Sequence, residues 1–405
     1  MRERGDPERV PMSGRSVAVV GGVTTKFGVR PATWPELAQE VGAALFRAMP
    51  ELRAEDVDSL FVGAAEPERF AFQSHVAPLA AEQMGLRPHR ILQRTELACA
   101  SGQSAIRSAY AAIASGLSDV AVAVGVEKMN IPSTAEANSA MGCVMDRAWD
   151  GPHGATAPPF FAMVAQRHML EYGTTEEQLA AVSEKNHRFA NTNPTAQFHE
   201  KTFPRDKLLR LPIIAPPLRL GDCSAMTDGA AAVVLTSEEH VRRYSDTPAW
   251  VRGTGQYSDF HNLANAGSLT EWAGLTRASR EALGRAGIGV RDLDLAEVHD
   301  CFTISEIIEY EALGLCGKGE GGRFAAEGRG DVGGDLVVNP RGGLLGCGHP
   351  LGATGIAQAV EVYQQFSSRV PPARQAPDPE WALVHNLSGS ANVHSVMVYQ
   401  RGGAA

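Results

Sequence analysis

The stretch NPRGGLLGCGHPLGATGIAQAVEVY, residues 339–363, decides how the rest of the chain is interpreted. Five glycines lie between Gly342 and Gly352, and they leave little side chain to pack, so the backbone turns sharply or approaches a ligand closely. The residues after Pro350 carry apolar side chains at helical spacing, which predicts that His349 lies at or just before a helix N-terminus. A lone histidine is most often structural, but one placed in this narrow pattern is a candidate functional residue.

The composition is that of a soluble globular protein. The chain has 405 residues, of which 44% are hydrophobic and 20% charged, so it can form one large domain or two. The formal net charge of -9 argues against nucleic acid or an anionic membrane as the main partner. The six cysteines are too sparse for a disulfide framework and show no CxxC spacing for zinc, which favours a reducing compartment.

Targeting signals are not found in the sequence. It has no signal-type apolar segment near its N-terminus, no apolar run long enough to span a bilayer, and no retention or peroxisomal signal at its C-terminus. Residues 1 to about 15 are charged and contain proline and glycine, so we expect a loose leader. We therefore predict a cytoplasmic protein without a membrane span.

Strands and helices are predicted to alternate in the first half of the chain. The runs SVAVVGG, DVDSLFVGA, ILQRTEL and DVAVAVGVEKM are typical of buried strands. Helical patterns separate them, and the last of these helices opens with the small residues CASG, 99–102. This order predicts an α/β protein with a largely buried sheet.

An insertion interrupts this order from about residue 130 to about 217. Short helical patterns alternate there with loops, so we expect it to lie over the sheet and to cover substrate. A strand returns near residue 229, and YSDTP, 244–248, is a candidate hinge. The predicted halves are residues 16–240, which include this loop domain, and residues 248–402.

The second half repeats the pattern of the first. AEDVDSLFV, 54–62, and VRDLDLAEV, 290–298, share the spacing D-[VL]-D-x-x-x-V, and the order of the surrounding strands and helices agrees. We infer a duplicated βαβ unit. In this duplication the helix that begins at Cys99 corresponds to the helix that begins at His349. The N-termini of both helices are therefore predicted to meet at one site.

Cys99 is the candidate nucleophile of that site. A helix N-terminus and a nearby histidine are expected to lower its pKa from about 8.5, although a small buried cysteine is the alternative interpretation. The motif HDCF, 299–302, follows a buried strand and offers His299 and Cys301, although a strand-end turn with an incidental cysteine is possible in isolation. Cys347 is expected to be a small filler rather than a third catalytic thiol.

Three motifs in this order carry a resemblance to a known family. CASG, EVHDCFTISEIIEYEALGLC and NPRGGLLGCGHPLGATGIAQ resemble the thiolases of the sterol-carrier-protein-X type, and the similarity runs from about residue 16 to 399. The HDCF form is the distinguishing mark, because most other thiolases carry Asn-Glu-Ala-Phe there and a second catalytic cysteine near the C-terminus. Here the corresponding stretch is HNLSGSANV, 385–393, without cysteine.

The resemblance implies a five-layered α-β-α-β-α thiolase fold of two halves with an inserted loop domain, usually dimeric, that acts on acyl-CoA. It implies that Cys99 carries the acyl group, that His349 is the base, and that Cys301 protonates the departing enolate. His299 and His349 would form one oxyanion site, and the backbone N–H groups of Cys99 and Gly389 a second. The reaction is thiolytic cleavage of a 3-ketoacyl-CoA or the reverse Claisen condensation, with coenzyme A as substrate, no tightly bound cofactor and no metal.

Three departures from the family pattern leave alternatives open. Residues 96–98, Glu-Leu-Ala, stand where asparagines are common, Gly346 replaces a serine, and Arg341 replaces a small residue. One alternative is a biosynthetic acyltransferase or condensing enzyme that uses an unusual acyl donor. Another is a thiolase-like aldolase subunit with a small OB-fold partner protein, against which Cys99 and Cys301 argue. A catalytically silent scaffold subunit is the third.

Overall fold

Strands and helices alternate along the chain in the computed structural model, which describes residues 14–402. Nearly all of the predicted leader therefore lies outside the described residues. The strands are β1 Val17–Thr24, β2 Ser59–Gly63, β3 Ile91–Thr95, β4 Val120–Glu127, β5 Ile213–Ala215, β6 Leu218–Arg219, β7 Gly229–Ser237, β8 Ala249–Ser258, β9 Leu295–Glu297, β10 Val337–Val338, β11 Trp381–Ser388 and β12 Val393–Arg401. The helices are α1 Trp34–Ala48, α2 Pro67–Phe70, α3 Val76–Gln83, α4 Ser101–Ala114, α5 Thr134–Met141, α6 Ala157–Tyr172, α7 Glu176–Asn191, α8 Arg205–Leu208, α9 Val241–Tyr244, α10 Ala273–Ala286, α11 Thr303–Ala312, α12 Gly321–Ala326, α13 Gly343–Cys347 and α14 Leu351–Phe366.

Each half of the chain builds five strands in the same order. The first half has the order β3-β2-β4-β7-β1 and the second β10-β9-β11-β12-β8. In both, the first three strands are parallel to one another. The fourth strand is antiparallel to the third, and the fifth is antiparallel to the fourth. β1 and β8 join the halves through two antiparallel residue pairs, Ala18 with Trp250 and Val19 with Ala249. The predicted duplication is confirmed by this topology.

The three largest hydrophobic clusters among residues 14–402 fill the spaces between five layers, and the central cluster lies on both sides of its helices. In β1, Val17 and Val19 face the core between the two halves, whereas Ala18 and Val20 face the outer core with α1 and α3. β12 alternates in the same way between the central core and a second outer core with α10 and α11. Because both faces of each sheet are covered, its strands are apolar on both sides. The layer order is α1/α3, sheet, α4/α14, sheet, α10/α11, so the five-layered fold is confirmed.

The two central helices, α4 and α14, touch backbone to backbone at their N-terminal ends. A Cβ atom on Gly102 of α4 would lie 2.5 Å from the carbonyl oxygen of Gly352, and one on Gly125 of β4 only 2.0 Å from the same atom. Such distances do not occur between real side chains and backbone, so glycine is required at both positions. This contact brings the two helix mouths to one place.

The insertion between β4 and β7 is closed at its base by Asp228. This buried carboxylate accepts the N–H groups of Met129 at 2.7 Å and Asn130 at 2.8 Å, and it pairs with Lys128 at 2.7 Å. The helix α7 of the insertion then packs against the second half, where Lys185 pairs with Glu306 at 2.9 Å. The predicted boundaries of the loop domain and of the two halves stay predictions.

The glycine-rich segment contains a short helix and follows a strand of two residues. Strand β10 ends at Val338, because Asn339 adopts a left-handed conformation with φ of 55°. The short helix α13 follows, and the carboxylate of Asp300 accepts the N–H groups of Leu344 at 2.7 Å and Leu345 at 3.1 Å at its start. The sequence analysis did not predict this helix.

We predict that Gly102→Ala lowers the free energy of unfolding by about 1–3 kcal/mol, because the new methyl group meets the backbone of α14. Urea unfolding monitored by circular dichroism measures the change. The matched control is Gly284→Ala in α10, where a Cβ atom meets nothing within 4 Å, and which should be neutral or stabilise by up to about 1 kcal/mol. Equal effects of the two substitutions would contradict the proposed contact.

Candidate functional site

Cys99 lies in the tight turn Ala98–Ala100 directly before α4. Ala98 has a φ of 43°, an unfavourable left-handed conformation for a residue with a side chain. The carboxylate of Glu96 accepts the Ala98 N–H at 2.5 Å, and the Ser101 hydroxyl donates to the Ala98 carbonyl at 2.7 Å. Glu96, which the sequence analysis noted only as a departure from the family, therefore holds the turn that presents the cysteine.

His349 lies just before α14, as predicted, and Pro350 is the N-cap residue of that helix. Nδ1 of His349 lies 2.7 Å from the Thr354 hydroxyl, which itself donates to the Pro350 carbonyl at 3.0 Å. Because a hydroxyl has one hydrogen, Thr354 accepts the Nδ1–H of His349. We therefore assign the tautomer in which Nε2 keeps its lone pair, and Nε2 has no hydrogen-bond partner in the described part of the chain.

His299 completes a cluster with the first two residues. It follows β9, and its ring stands perpendicular to that of His349, with 4.9 Å between the ring centroids. Each of Cys99, His299 and His349 contributes one polar atom to a group of three that lie within 4.8 Å of one another. All three side chains are buried. Three predicted site residues from distant parts of the sequence are thus brought together.

Cys301 and Gly389 lie beside this cluster. Cys301 is buried directly before α11, and its sulfur lies 3.6 Å from the Ser305 hydroxyl. Burial raises its pKa well above the usual range, and the nearby Cys99 adds to this effect. Gly389 follows β11 with a φ of 56°, and its backbone N–H and that of Cys99 act to lower the pKa of the Cys99 thiol. All five predicted positions are accounted for in one region.

The predicted lowering of the Cys99 pKa is wrong. Burial is the main cause that raises the pKa of this thiol to about 12, and the carboxylates of Glu127 and Glu66 contribute in the same direction. The two backbone N–H groups act in the opposite direction, but loss of water outweighs them. Burial also lowers the pKa of His349 to about 3. The resting pair is therefore a neutral thiol beside a neutral imidazole and not an ion pair.

Two residues that support the site were missed by the sequence analysis. Glu127, the last residue of β4, accepts the N–H of Ala65 at 2.8 Å and that of Gly352 at 2.9 Å, so it ties the end of β2 to the start of α14. Burial raises its pKa to about 7. An acidic residue at the end of an apolar strand was the available signal. Thr354 stands inside the quoted motif, but its role depends on the turn of the helix.

A buried row of polar side chains lies behind His299. The carboxylate of Glu309 accepts the backbone N–H of His299 at 3.2 Å and lies 3.1 Å from Nδ1 of His385. Nε2 of His385 lies 3.1 Å from Nδ1 of His394. No sequence signal joins these residues, because they stand on α11, β11 and β12 and meet only through the sheet.

A search of residues 14–402 finds no helix that is both long and apolar enough to cross a membrane.

Comparison with known families covers nearly the whole chain. The family model "Thiolase, N-terminal domain" matches residues 17–239, and "Thiolase C-terminal domain-like" matches residues 255–401. An acetyl-CoA acetyltransferase from Methanothermobacter thermautotrophicus is 40% identical, over 96% of this chain and 100% of that protein. Benzoylsuccinyl-CoA thiolase subunit BbsB from Thauera aromatica is 33% identical, over 94% and 97%. Sterol carrier protein 2 from Bos taurus is 32% identical, over 97% of this chain and 73% of that protein.

Two solved structures share the fold. The Ltp2-ChsH2(DUF35) aldolase superposes with a TM-score of 0.81 at 24% identity, over 95% of this chain and 98% of that chain. Human mitochondrial 3-ketoacyl-CoA thiolase in complex with CoA superposes with a TM-score of 0.71 at 19% identity, over 96% and 98%. With its duplicated halves and with both family models matched, the chain belongs to the thiolase family and is an acyltransferase.

Proposed function

We propose that this acyltransferase cleaves a 3-ketoacyl-CoA with coenzyme A, or runs the reverse Claisen condensation, through a thioester on Cys99. The observation that carries the proposal is the convergence of Cys99, His349 and His299, whose polar atoms lie within 4.8 Å of one another. A nucleophile, a base with a free lone pair and a second imidazole are the groups that this reaction needs in one place.

Acyl transfer begins with the neutral pair. Nε2 of His349 accepts the Cys99 proton while Nδ1–H stays bonded to Thr354, so the imidazolium that forms is already oriented. Because burial disfavours both charges, the proton moves as the sulfur attacks the 3-keto carbon and not before. The backbone N–H groups of Cys99 and Gly389 bond the acyl-enzyme carbonyl oxygen.

Cleavage of the carbon–carbon bond releases the enolate of the shorter acyl-CoA. His299 and His349 donate hydrogen bonds to the enolate oxygen, and the Cys301 thiol protonates the α-carbon. The high pKa of Cys301 suits this role, because burial keeps it as a thiol that can give a proton. Free coenzyme A then attacks the thioester, and its thiol proton passes to the Cys301 thiolate. The His349 imidazolium returns its proton to the departing Cys99 sulfur, so the cycle regenerates both thiols and needs no metal and no tightly bound cofactor.

Assembly and location complete the proposal. We infer a homodimer in the cytoplasm, following the family resemblance. The fold shared with the Ltp2-ChsH2(DUF35) aldolase is consistent with one alternative function, that of an aldolase subunit with a small OB-fold partner protein. The presence of Cys99 and Cys301 side by side favours acyl transfer over that alternative, since an aldolase has no need of an acylated thiol. A biosynthetic condensing enzyme on an unusual acyl donor uses the same residues in reverse.

Intact-protein mass spectrometry after incubation with acetyl-CoA tests the proposal. Cys99→Ala should acquire no acetyl group, whereas Cys301→Ala should be acetylated yet fail in cleavage and condensation, because only that step moves a proton at the α-carbon. The control Cys143→Ala removes an exposed thiol and should behave as the unmodified protein. Normal turnover by Cys99→Ala would overturn the assignment of the nucleophile, and equal loss of both activities in Cys301→Ala would show a structural role.

The hydroxyl of Thr354 generates a second prediction. Thr354→Val should lower kcat by roughly ten- to a hundredfold, less than the 10²–10⁴ expected for complete loss of a general base, because Nδ1–H loses its acceptor and the tautomer is no longer fixed. Thr354→Ser keeps the hydroxyl and should retain most of the activity. Steady-state kinetics on both variants decides the matter: similar losses would mean that packing of the methyl group, and not the hydrogen bond, is what counts.

The raised pKa of Cys99 predicts the pH dependence of its alkylation. With a pKa of about 12 the thiol dominates throughout the neutral range, so the rate with iodoacetamide should rise about tenfold per pH unit from pH 7 to 9 without a plateau. Peptide mass spectrometry separates Cys99 from the exposed Cys143. His299→Ala and His349→Ala should both leave this slope unchanged, because neither neutral imidazole ionises the thiol at rest. A plateau near pH 7 would indicate a preformed thiolate instead.

A further inference from the structure

We propose that Cys99, His299 and His349 form an inhibitory binding site for a single Zn²⁺ ion, which competes with acyl-CoA. The ligand atoms come from three segments, before α4, after β9 and before α14, and they lie within 4.8 Å of one another. Zinc holds sulfur at about 2.3 Å and nitrogen at about 2.0–2.1 Å, so tetrahedral ligands stand roughly 3.3–3.8 Å apart. Side-chain rotations that move the ligand atoms by about 1 Å are enough to bring them to zinc-binding distance.

Unsatisfied nitrogen atoms point to a ligand at this place. Both ring nitrogens of His299 and Nε2 of His349 are buried without a hydrogen-bond partner among residues 14–402. Buried polar atoms are normally paired, so three unpaired nitrogens in one cluster call for a group that satisfies them. A cation that accepts lone pairs satisfies one of these nitrogens in each ring.

The hydrogen bonding of His349 suits a metal. Imidazole binds zinc through a ring nitrogen that keeps its lone pair. Thr354 accepts the Nδ1–H of His349, and this leaves Nε2 directed away from it, the arrangement that metal-bound histidines commonly show.

Other clusters are less suited to zinc. Nε2 of His385 lies 3.1 Å from Nδ1 of His394, and Nδ1 of His385 lies 3.1 Å from the Glu309 carboxylate. This row contains no thiol, and its ligand atoms do not form a metal-type group among residues 14–402. Cys347 is buried, but its thiol donates a hydrogen bond to the Arg341 carbonyl. Among residues 14–402, no group of potential metal ligands includes Cys347. Among residues 14–402, a thiol is grouped with two imidazoles only at this site.

The donor set selects the cation. One thiolate and two imidazoles favour Zn²⁺, whereas Mg²⁺ and Ca²⁺ prefer oxygen ligands. On binding, the Cys99 S–H bond breaks, a Zn–S bond forms and the proton leaves to solvent, with no change in oxidation state. Water or the thiol of coenzyme A fills the fourth position. The bound ion occupies both the nucleophile and the lone pair of the base, so it blocks acylation and is not a cofactor.

The test measures metal binding in the absence of substrate. The full chain is titrated with Zn²⁺ at buffered free concentrations, and with Co²⁺, whose thiolate charge-transfer band reports a cobalt–sulfur bond. We expect one ion per chain, a charge-transfer band, inhibition that acyl-CoA relieves, and no effect of Mg²⁺. Cys99→Ala, His299→Ala and His349→Ala should each weaken binding by roughly a hundredfold or more, at or beyond the upper end of the 10–100-fold loss seen when outer-shell partners are removed.

Controls separate this site from surface binding. Cys143→Ala, which removes an exposed thiol, should bind Zn²⁺ as the unmodified chain does. Cys99→Ser keeps the size of the side chain and should lose the charge-transfer band even if Cys99→Ala fails to fold. Unchanged affinity in Cys99→Ala or Cys99→Ser, or bound Co²⁺ without the band, would overturn the proposal. Because binding is read without substrate, a chain that binds the ion but makes no acyl-enzyme would contradict only the proposed function.

Discussion

The backbone contact between α4 and α14 is the constraint on which the site depends. Gly102, Gly125 and Gly352 carry no side chain where the two helices and β4 meet, so the helix mouths approach as closely as atoms allow. Cys99 stands just before one helix and His349 just before the other. The duplication supplies the two equivalent helices, and the glycines allow the N-termini of these helices to meet at one site. Larger residues at this contact would separate the nucleophile from its base.

Burial then sets the electrostatics of the site. A thiolate and an imidazolium enclosed at this depth would each lose their hydration, so the neutral pair is the stable resting state. A charged pair becomes favourable only when substrate places a carbonyl carbon against the sulfur and an oxygen against the N–H groups. This arrangement protects the nucleophile from reaction with other electrophiles, and it also leaves unpaired nitrogens that a metal ion can satisfy.

Local patterns predicted the fold and much of the site, and contacts between distant segments account for what was missed. The duplicated order of strands and helices placed Cys99 and His349 together, and HDCF after a strand added His299, since these follow from spacing alone. The direction of the Cys99 pKa shift was wrong because a helix terminus is visible in the sequence whereas the depth of burial is not. The row from Glu309 to His394 was missed, because its members meet only after the sheet forms.

The aspartate of HDCF shows how the insertion connects to the chemistry. Asp300 stands between His299 and Cys301, yet its carboxylate faces away from substrate chemistry and binds the start of α13 and the side-chain amide of Asn186 at 2.7 Å. Asn186 belongs to α7 of the insertion, and α13 leads directly into the loop of His349. A single buried carboxylate therefore joins three segments: the strand end with His299, the start of α13 and helix α7 of the insertion. Asp300 therefore links the insertion to the loop that leads into His349 through hydrogen bonds of its own and not through substrate.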